Sequence, residues 1–186
     1  MARKPRVWFP GATFHVTSRG NLRASIFYDD ADRLRYLSLL EKNRSQYPFY
    51  LHAYCLMTNH IHLLFETIDT PTKDIIKRLH SLYAIYFNKR HDMSGHLFQG
   101  RYHAELINDA PYFLEASKYI HLNPVEAKMI SSPADYWWSS YSAFISSISN
   151  PYVKILSYFP HPQNQHYQHY VEGGQTPANK ALDNGH

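Results

Sequence analysis

A two-residue turn signal, Thr58-Asn59, is all that separates two β-prone runs in the middle of the chain. The first run, 49–57, is rich in Tyr, Phe and Leu; in the second, Ile61, Leu63 and Phe65 alternate with His60, His62, Leu64 and Glu66. Runs of this kind joined by so short a break read as an antiparallel hairpin. Strand side chains alternate between faces, so Ile61, Leu63 and Phe65 need apolar cover while His60 and His62 share the other face. A sheet with one face to be covered by helices is therefore the constraint that the flanking sequence has to meet.

The flanks supply both more strands and the helices. Residues 12–19 alternate as well, with Phe14 and Val16 on one side, His15, Thr17 and Arg19 on the other, and Gly20-Asn21 as the stop. Asp29-Asp30 suit a helix N-terminus, and Leu34, Leu37 and Leu40 recur at helical spacing up to about Arg44. Thr70-Pro71 predicts a second helix, with Thr as its cap and Pro in the first turn. Its apolar stripe runs from Ile75 and Ile76 through Leu79 and Tyr83 to Tyr86, leaving Lys73, Lys77, Arg78 and Lys89 for the wet side. Glycines mark 91–100 as a loop before a short strand over 102–107. Asp109-Ala110-Pro111 opens a third helix with Phe113, Ala116 and Ile120 as core, which Asn123-Pro124 is expected to interrupt.

The order strand, helix, strand, strand, helix, strand, helix predicts an α+β fold: a ferredoxin-like antiparallel sheet with helices on one face. One domain is expected over 1–145, with Tyr136-Trp137-Trp138 through Phe144 packing back on its body, and an extension over 146–186. From about residue 160 the chain is rich in His, Gln, Pro, Gly and Asn, which predicts a flexible tail.

Charge and composition narrow the partners. The 19 Lys and Arg against 15 Asp and Glu give a formal charge of +4, mildly basic. The single cysteine, Cys55, excludes an internal disulfide and a thiolate-rich zinc site. With no apolar run near the ~18 residues of a membrane span, a cytoplasmic protein without membrane contacts is expected. The counts that stand out are 16 Tyr and 13 His. Rings on which bases stack, beside Lys and Arg for the phosphates, suit a single-stranded nucleic-acid binder.

The candidate chemistry sits on two elements. His60 and His62, two apart on a strand, can share one divalent metal, but such pairs are also ordinary half-exposed residues, and two ligands do not make a site. Tyr119 and Asn123, four apart, stack on one side of the third helix, rotated about 100° from its core stripe. By spacing alone Tyr119 is one tyrosine among 16, and Asn123 is equally a cap for the turn after Pro124.

Four segments occur together in order: Phe14-His15-Val16-Thr17-Ser18-Arg19-Gly20-Asn21, Met57-Thr58-Asn59-His60-Ile61-His62-Leu63-Leu64, Gly95-His96-Leu97-Phe98-Gln99-Gly100-Arg101-Tyr102 and Tyr119-Ile120-His121-Leu122-Asn123-Pro124-Val125. Over roughly 10–141 the chain thus resembles the REP-associated tyrosine transposases, relatives of the single-strand insertion-sequence transposases in the HUH endonuclease superfamily. The resemblance implies an HUH-type fold with the catalytic Tyr on an additional C-terminal helix. It makes His60 and His62 the metal pair, Tyr119 the nucleophile and Asn123 the third ligand, where the insertion-sequence enzymes have a Tyr-x-x-x-Gln pattern. The implied cofactor is Mg2+ or Mn2+, and the implied reaction is nicking and joining of single-stranded DNA at hairpin or palindromic repeats through a 5′-phosphotyrosine. Arg19, Asn21, Arg23, Lys73, Lys77, Arg78, Arg101 and Tyr102 are the candidate DNA contacts, and the second helix could serve a homodimer. Two readings stay open beside it: a non-catalytic hairpin-binding module derived from such an enzyme, and a metal-dependent phosphoesterase that uses water.

Overall fold

The computed structural model describes residues 7–173. Strands β1 (Thr13–Arg19), β2 (Phe49–Leu56), β3 (His60–Thr67) and β4 (His103–Ile107) form one antiparallel sheet in the order β2-β3-β1-β4. Helix α1 (Asp30–Gln46) joins β1 to β2, and α2 (Thr72–Arg90) joins β3 to β4. After β4 come α3 (Ala110–Glu126), the short α4 (Tyr141–Ile145) and α5 (Gln163–Glu172). The ferredoxin-like α+β fold is as the sequence predicts, and no helix among the described residues is long and apolar enough to cross a membrane.

The alternation in the strands divides the interior into two cores. Phe14, Val16, Ile61, Leu63 and Phe65 pack under α1 and α2, through Tyr36, Leu37, Leu40, Ile75, Leu79 and Tyr83. On the other face Ala53, Cys55, Met57 and Leu64 meet Phe113, Ala116 and Ile120 of α3, with Tyr141, Phe144, Tyr167, Tyr170 and Val171 behind. Thus α1 and α2 do lie on one face, while α3 covers the other over β2 and β3. His103 and Glu105 of β4 stay exposed there, so the β1–β4 half of that face is open. A bulge in β2 between Leu51 and Ala53 lets this strand supply Leu51 and Tyr54 to the first core, Ala53 and Cys55 to the second.

Several local expectations are corrected. Leu37 and Leu40 are core as expected, but Leu34 is 56% exposed, and Tyr36 and Leu39 complete the buried face of α1. Helix α2 starts at Thr72 behind Pro71, with no side-chain cap, because the Pro71 ring already fixes the entering backbone. Helix α3 runs through Pro124 to Glu126; so near the C-terminal end the proline costs a single carbonyl its partner, and the helix bears it. Of the segment expected to pack back, Trp137 alone is 89% exposed; Trp138 lies beneath the Arg33 guanidinium, and Tyr136, Tyr141 and Phe144 pack on the second core as expected. The expected flexible tail instead carries α5 over 163–172, because Tyr167 and Tyr170 bury their rings and satisfy their hydroxyls on His121 and Glu115 of α3. The tail beyond Gly173 lies outside the described residues.

One polar knot ties the two helices of the first core together. The fully buried Asp32 carboxylate accepts from the Tyr28 N–H, from Arg90 and His91 at the end of α2, and from the Tyr86 hydroxyl. Burial alone would raise its pKa, but the Tyr28 N–H, Arg90 and His91 outweigh it and hold the carboxyl below its ordinary 3.8. Its stabilisation is therefore complete above about pH 4 and is lost as pH falls towards the lower folded-state value. Asp32→Ala should lower the unfolding free energy by about 3 kcal/mol in urea titrations at neutral pH. The deficit should shrink below pH 4; a deficit that does not change with pH would contradict this role.

Candidate active site on the open half of the sheet

The β1–β3 register sets the site. Thr17 stands opposite His62 and Arg19 opposite His60, so the polar side of β1 and the histidine pair of β3 form one patch. Helix α3 borders it: with Phe113, Ala116 and Ile120 turned into the second core, the neighbouring stripe carries Tyr119 and Asn123 over the histidines.

The contacts are specific. His60 Nε2 lies 2.9 Å from Asn123 Oδ1, while its Nδ1 lies 2.7 Å from Asn59 Oδ1. The His62 Nδ1 is 3.0 Å from His15 Nε2 and 3.3 Å from the Thr17 hydroxyl, and its Nε2 is buried without a hydrogen-bond partner. The His60 and His62 rings stand 5.0 Å apart between centroids. Tyr119, 45% exposed, sets its ring edge-to-face with His62 at 5.5 Å and near His15 at 5.8 Å. Asn123 is buried, and its side chain reaches the histidine rather than capping the following turn.

The electrostatics keep these imidazoles neutral. Burial holds His62 down at about 2, helped by His15, His60 and Arg19. It holds His15 at about 4 against the pull of Glu105. His60 is lowered too, burial outweighing its bond to Asn123, with Arg19 adding to the shift. A neutral His60 has one N–H to divide between two carboxamide oxygens, so one nitrogen faces an oxygen bare, a place suited to a cation. The 2.9 Å gap between His60 Nε2 and Asn123 Oδ1 is close to the roughly 3 Å between adjacent ligands of an octahedral Mg2+ at ~2.1 Å. Among the described residues no group of three His, Cys, Asp or Glu assembles, which leaves two imidazoles and a carboxamide as the donor set. That set, with the bare buried His62 Nε2, fits a divalent ion.

The model of the family described as "Transposase IS200 like" matches residues 9–123, which include β1, both histidines, Tyr119 and Asn123. The chain belongs to the IS200-like transposase family. In structure it is similar to a REP-associated tyrosine transposase bound to a REP hairpin, at 15% identity and TM-score 0.66 over 84% of this chain and 99% of that one. It is also similar to a proposed transposase of Deinococcus radiodurans, at 18% identity and TM-score 0.43 over 69% and 94% of the two chains. No curated protein matches it in sequence.

In this IS200-like transposase the predicted DNA contacts fall into two groups and an outlier. Arg19, Asn21 and Arg23 are exposed at the end of β1, with Arg19 beside His60. Lys73, Lys77, Arg101 and Tyr102 line a cavity between α2 and the 95–102 loop. A second cavity containing Arg19, Arg101 and Tyr102 joins the two groups. Arg78 is the outlier: its guanidinium donates to Asn43 Oδ1, so it braces α1 against α2. Sequence reasoning missed the supporting roles of His15, Thr17 and Asn59. The alternation of 12–19 does put His15 and Thr17 on one side, but only the cross-strand register brings that side to His62.

An unbonded acceptor is tolerated in burial better than an unbonded N–H, so His62 should hold its proton on Nδ1 and present Nε2 bare. Long-range 15N correlation spectra near neutral pH should show His62 as that neutral tautomer. A proton on Nε2, or an imidazolium above pH 6, would contradict the geometry.

Proposed function

We propose that this IS200-like transposase nicks and rejoins single-stranded DNA at hairpin or palindromic repeats, using Tyr119 as nucleophile and an Mg2+ or Mn2+ ion held by His60, His62 and Asn123. The observation that carries this reading is the convergence on one patch of a bare buried imidazole nitrogen, a second imidazole facing a carboxamide oxygen, and an exposed tyrosine ring against them. The hairpin bound by the structurally similar REP-associated transposase supports the substrate class. When bound, such an ion neutralises a non-bridging phosphate oxygen and fixes the phosphate for in-line attack.

The remaining work belongs to the chain itself. His15 and Thr17 fix the His62 ring, and Asn59 fixes the His60 ring, so neither has to reorganise as DNA arrives. Arg19 adds positive charge beside His60 for the incoming phosphate. The Tyr119 oxygen attacks phosphorus as its phenolic proton leaves to solvent; the Tyr–O–P bond forms, the P–O3′ bond breaks, and the 3′ oxygen takes up a proton. A 5′-phosphotyrosine and a free 3′-hydroxyl result. The phosphoester persists in the covalent link, so the reverse attack by a 3′-hydroxyl rejoins strands without ATP.

Tyr119→Phe removes one oxygen and keeps the ring, so hairpin affinity should survive while the covalent protein–DNA band on denaturing gels disappears. His60→Ala should also abolish it. Cleavage that persists in Tyr119→Phe without an adduct would mean water is the nucleophile; hairpin binding by the parent with no metal-dependent cut would leave a binding module. His15→Leu, which leaves all three proposed ligands in place but removes the imidazole partner of His62 Nδ1, should weaken Mn2+ binding by about 10- to 100-fold in calorimetry. Unchanged affinity would remove His15 from the account.

A further inference from the structure

Helix α3 bears the proposed nucleophile and a proline in the same stretch. Pro124 has no N–H to give the Ile120 carbonyl, so the turn between Tyr119 and Asn123 lacks one of its hydrogen bonds. Apolar contacts of Phe113, Ala116 and Ile120 hold α3 on the sheet, but such contacts are non-directional and do little against rotation of the helix about its axis. A rotation of roughly 10° would carry a tyrosine hydroxyl ~8 Å from the axis through about 1.4 Å. Misplacement by about 1 Å in an active site can cost ~100-fold in rate.

A buried chain of hydrogen bonds opposes that rotation. Ser117 and His121 come two residues before and after Tyr119, so at about 100° per residue both lie roughly 160° around the helix from it, directly behind the nucleophile. The Tyr167 oxygen of α5 bridges them, 2.5 Å from Ser117 Oγ and 2.7 Å from His121 Nδ1. His121 Nε2 in turn lies 2.8 Å from Ser140 Oγ. Ser140 is tied to β2 twice: its Oγ accepts from the Tyr54 N–H, and its own N–H donates to the Tyr54 carbonyl. Cys55, the next residue of β2, stands opposite His62. Ser117, His121, Ser140 and Tyr167 are all buried, where hydrogen bonds gain strength and fix orientation.

We infer that Tyr167 is a positioning residue for the proposed reaction: its hydroxyl fixes the rotation of α3 on the sheet that carries His60 and His62, and so sets where the Tyr119 oxygen stands. The inference rests on the proposed role of Tyr119 as nucleophile and adds to it what holds that nucleophile in line. Docking of α5 does not by itself account for the hydroxyl, because the helix has other attachments. Tyr170 reaches Glu115 at 2.8 Å and lies under Lys118, Glu172 accepts from the Tyr141 hydroxyl at 2.7 Å, and Val171 is buried. Burial of the Tyr167 ring needs no hydroxyl, and a buried hydroxyl costs desolvation. What the oxygen adds is direction, through two bonds to α3 that are one helical turn apart. Ser140 and Tyr167 lie beyond residue 123, where the family match ends, so the chain of bonds draws on residues outside the matched stretch.

The test compares Tyr167→Phe, which keeps the ring and removes both bonds, with Val171→Ala, which loosens α5 and leaves the hydroxyl chain in place. Single-turnover adduct formation on a labelled DNA hairpin with saturating Mn2+ should slow about 10- to 100-fold in Tyr167→Phe at saturating hairpin, with the half-saturating hairpin concentration unchanged. Val171→Ala should react at the parent's rate. A 3-fluorotyrosine label at position 119 gives a second readout that needs neither metal nor DNA. Its 19F resonance should move or broaden in Tyr167→Phe and keep its place and width in Val171→Ala. Should Tyr167→Phe fail to fold, Ser117→Ala removes one of the two bonds, and should shift the resonance in the same way and slow the reaction about 3- to 10-fold. A Tyr167→Phe variant with the parent's rate and 19F resonance, or a Val171→Ala variant that is equally slow, would overturn the inference. A parent that binds the hairpin and forms no adduct would overturn the proposed chemistry instead, with the 19F resonance still deciding whether Tyr167 fixes Tyr119.

Discussion

The antiparallel pairing of β1 with β3 is the constraint on which the rest of the structure turns. With Thr17 opposite His62 and Arg19 opposite His60, Phe14, Val16, Ile61, Leu63 and Phe65 point to α1 and α2, while His15, Thr17, His60 and His62 point to the other side. Side chains alternate with a period of two, so a slip of one residue would bury His15 and Thr17 in the first core and bring Phe14 and Val16 to the histidines. The register that folds the protein is therefore the one that supports the His62 ring. Packing of Phe14, Val16, Ile61, Leu63 and Phe65 enforces it, so the stability of the first core and the geometry of the site are one property.

The second face shows how a reactive patch stays beside a packed core. Helix α3 buries Phe113, Ala116 and Ile120 and leaves the stripe next to them at the boundary with the open half of the sheet. Asn123, deeper along that stripe, is buried against His60, and Tyr119 one turn earlier is half-exposed. Helix α5 and Ser140 brace α3 from behind: His121 sits between the Tyr167 hydroxyl and the Ser140 hydroxyl, and Lys118 lies over the Tyr170 ring. The helix that carries the tyrosine is thus held by core on one side and a hydrogen-bonded layer behind.

How far the sequence could be read follows from which interactions are local. The hairpin, the α2 stripe, the Asp109 start of α3 and the pairing of His60 with His62 rest on periodicity or on neighbours in the chain, and the structure has them. The four motifs carried the family as well. Leu34 was misplaced because helical spacing fixes a stripe only to within one residue's rotation, and α1 buries Tyr36 in its stead. Helix α5 was hidden because its buried groups are tyrosines among Gln and His, whose hydroxyls find partners only after α3 is in place. Arg78, His15, Thr17 and Asn59 take their roles from elements distant in sequence, and no local pattern announces a cross-strand register or a helix pair.

That two imidazoles and a carboxamide hold one divalent ion in front of Tyr119 is the central claim, and pulsed electron paramagnetic resonance of the Mn2+-loaded protein tests it most directly. The parent should show nitrogen couplings from two imidazoles on one bound ion, and His62→Ala should show one. An ion with only water-like couplings in the parent, or couplings unchanged in both His60→Ala and His62→Ala, would contradict it.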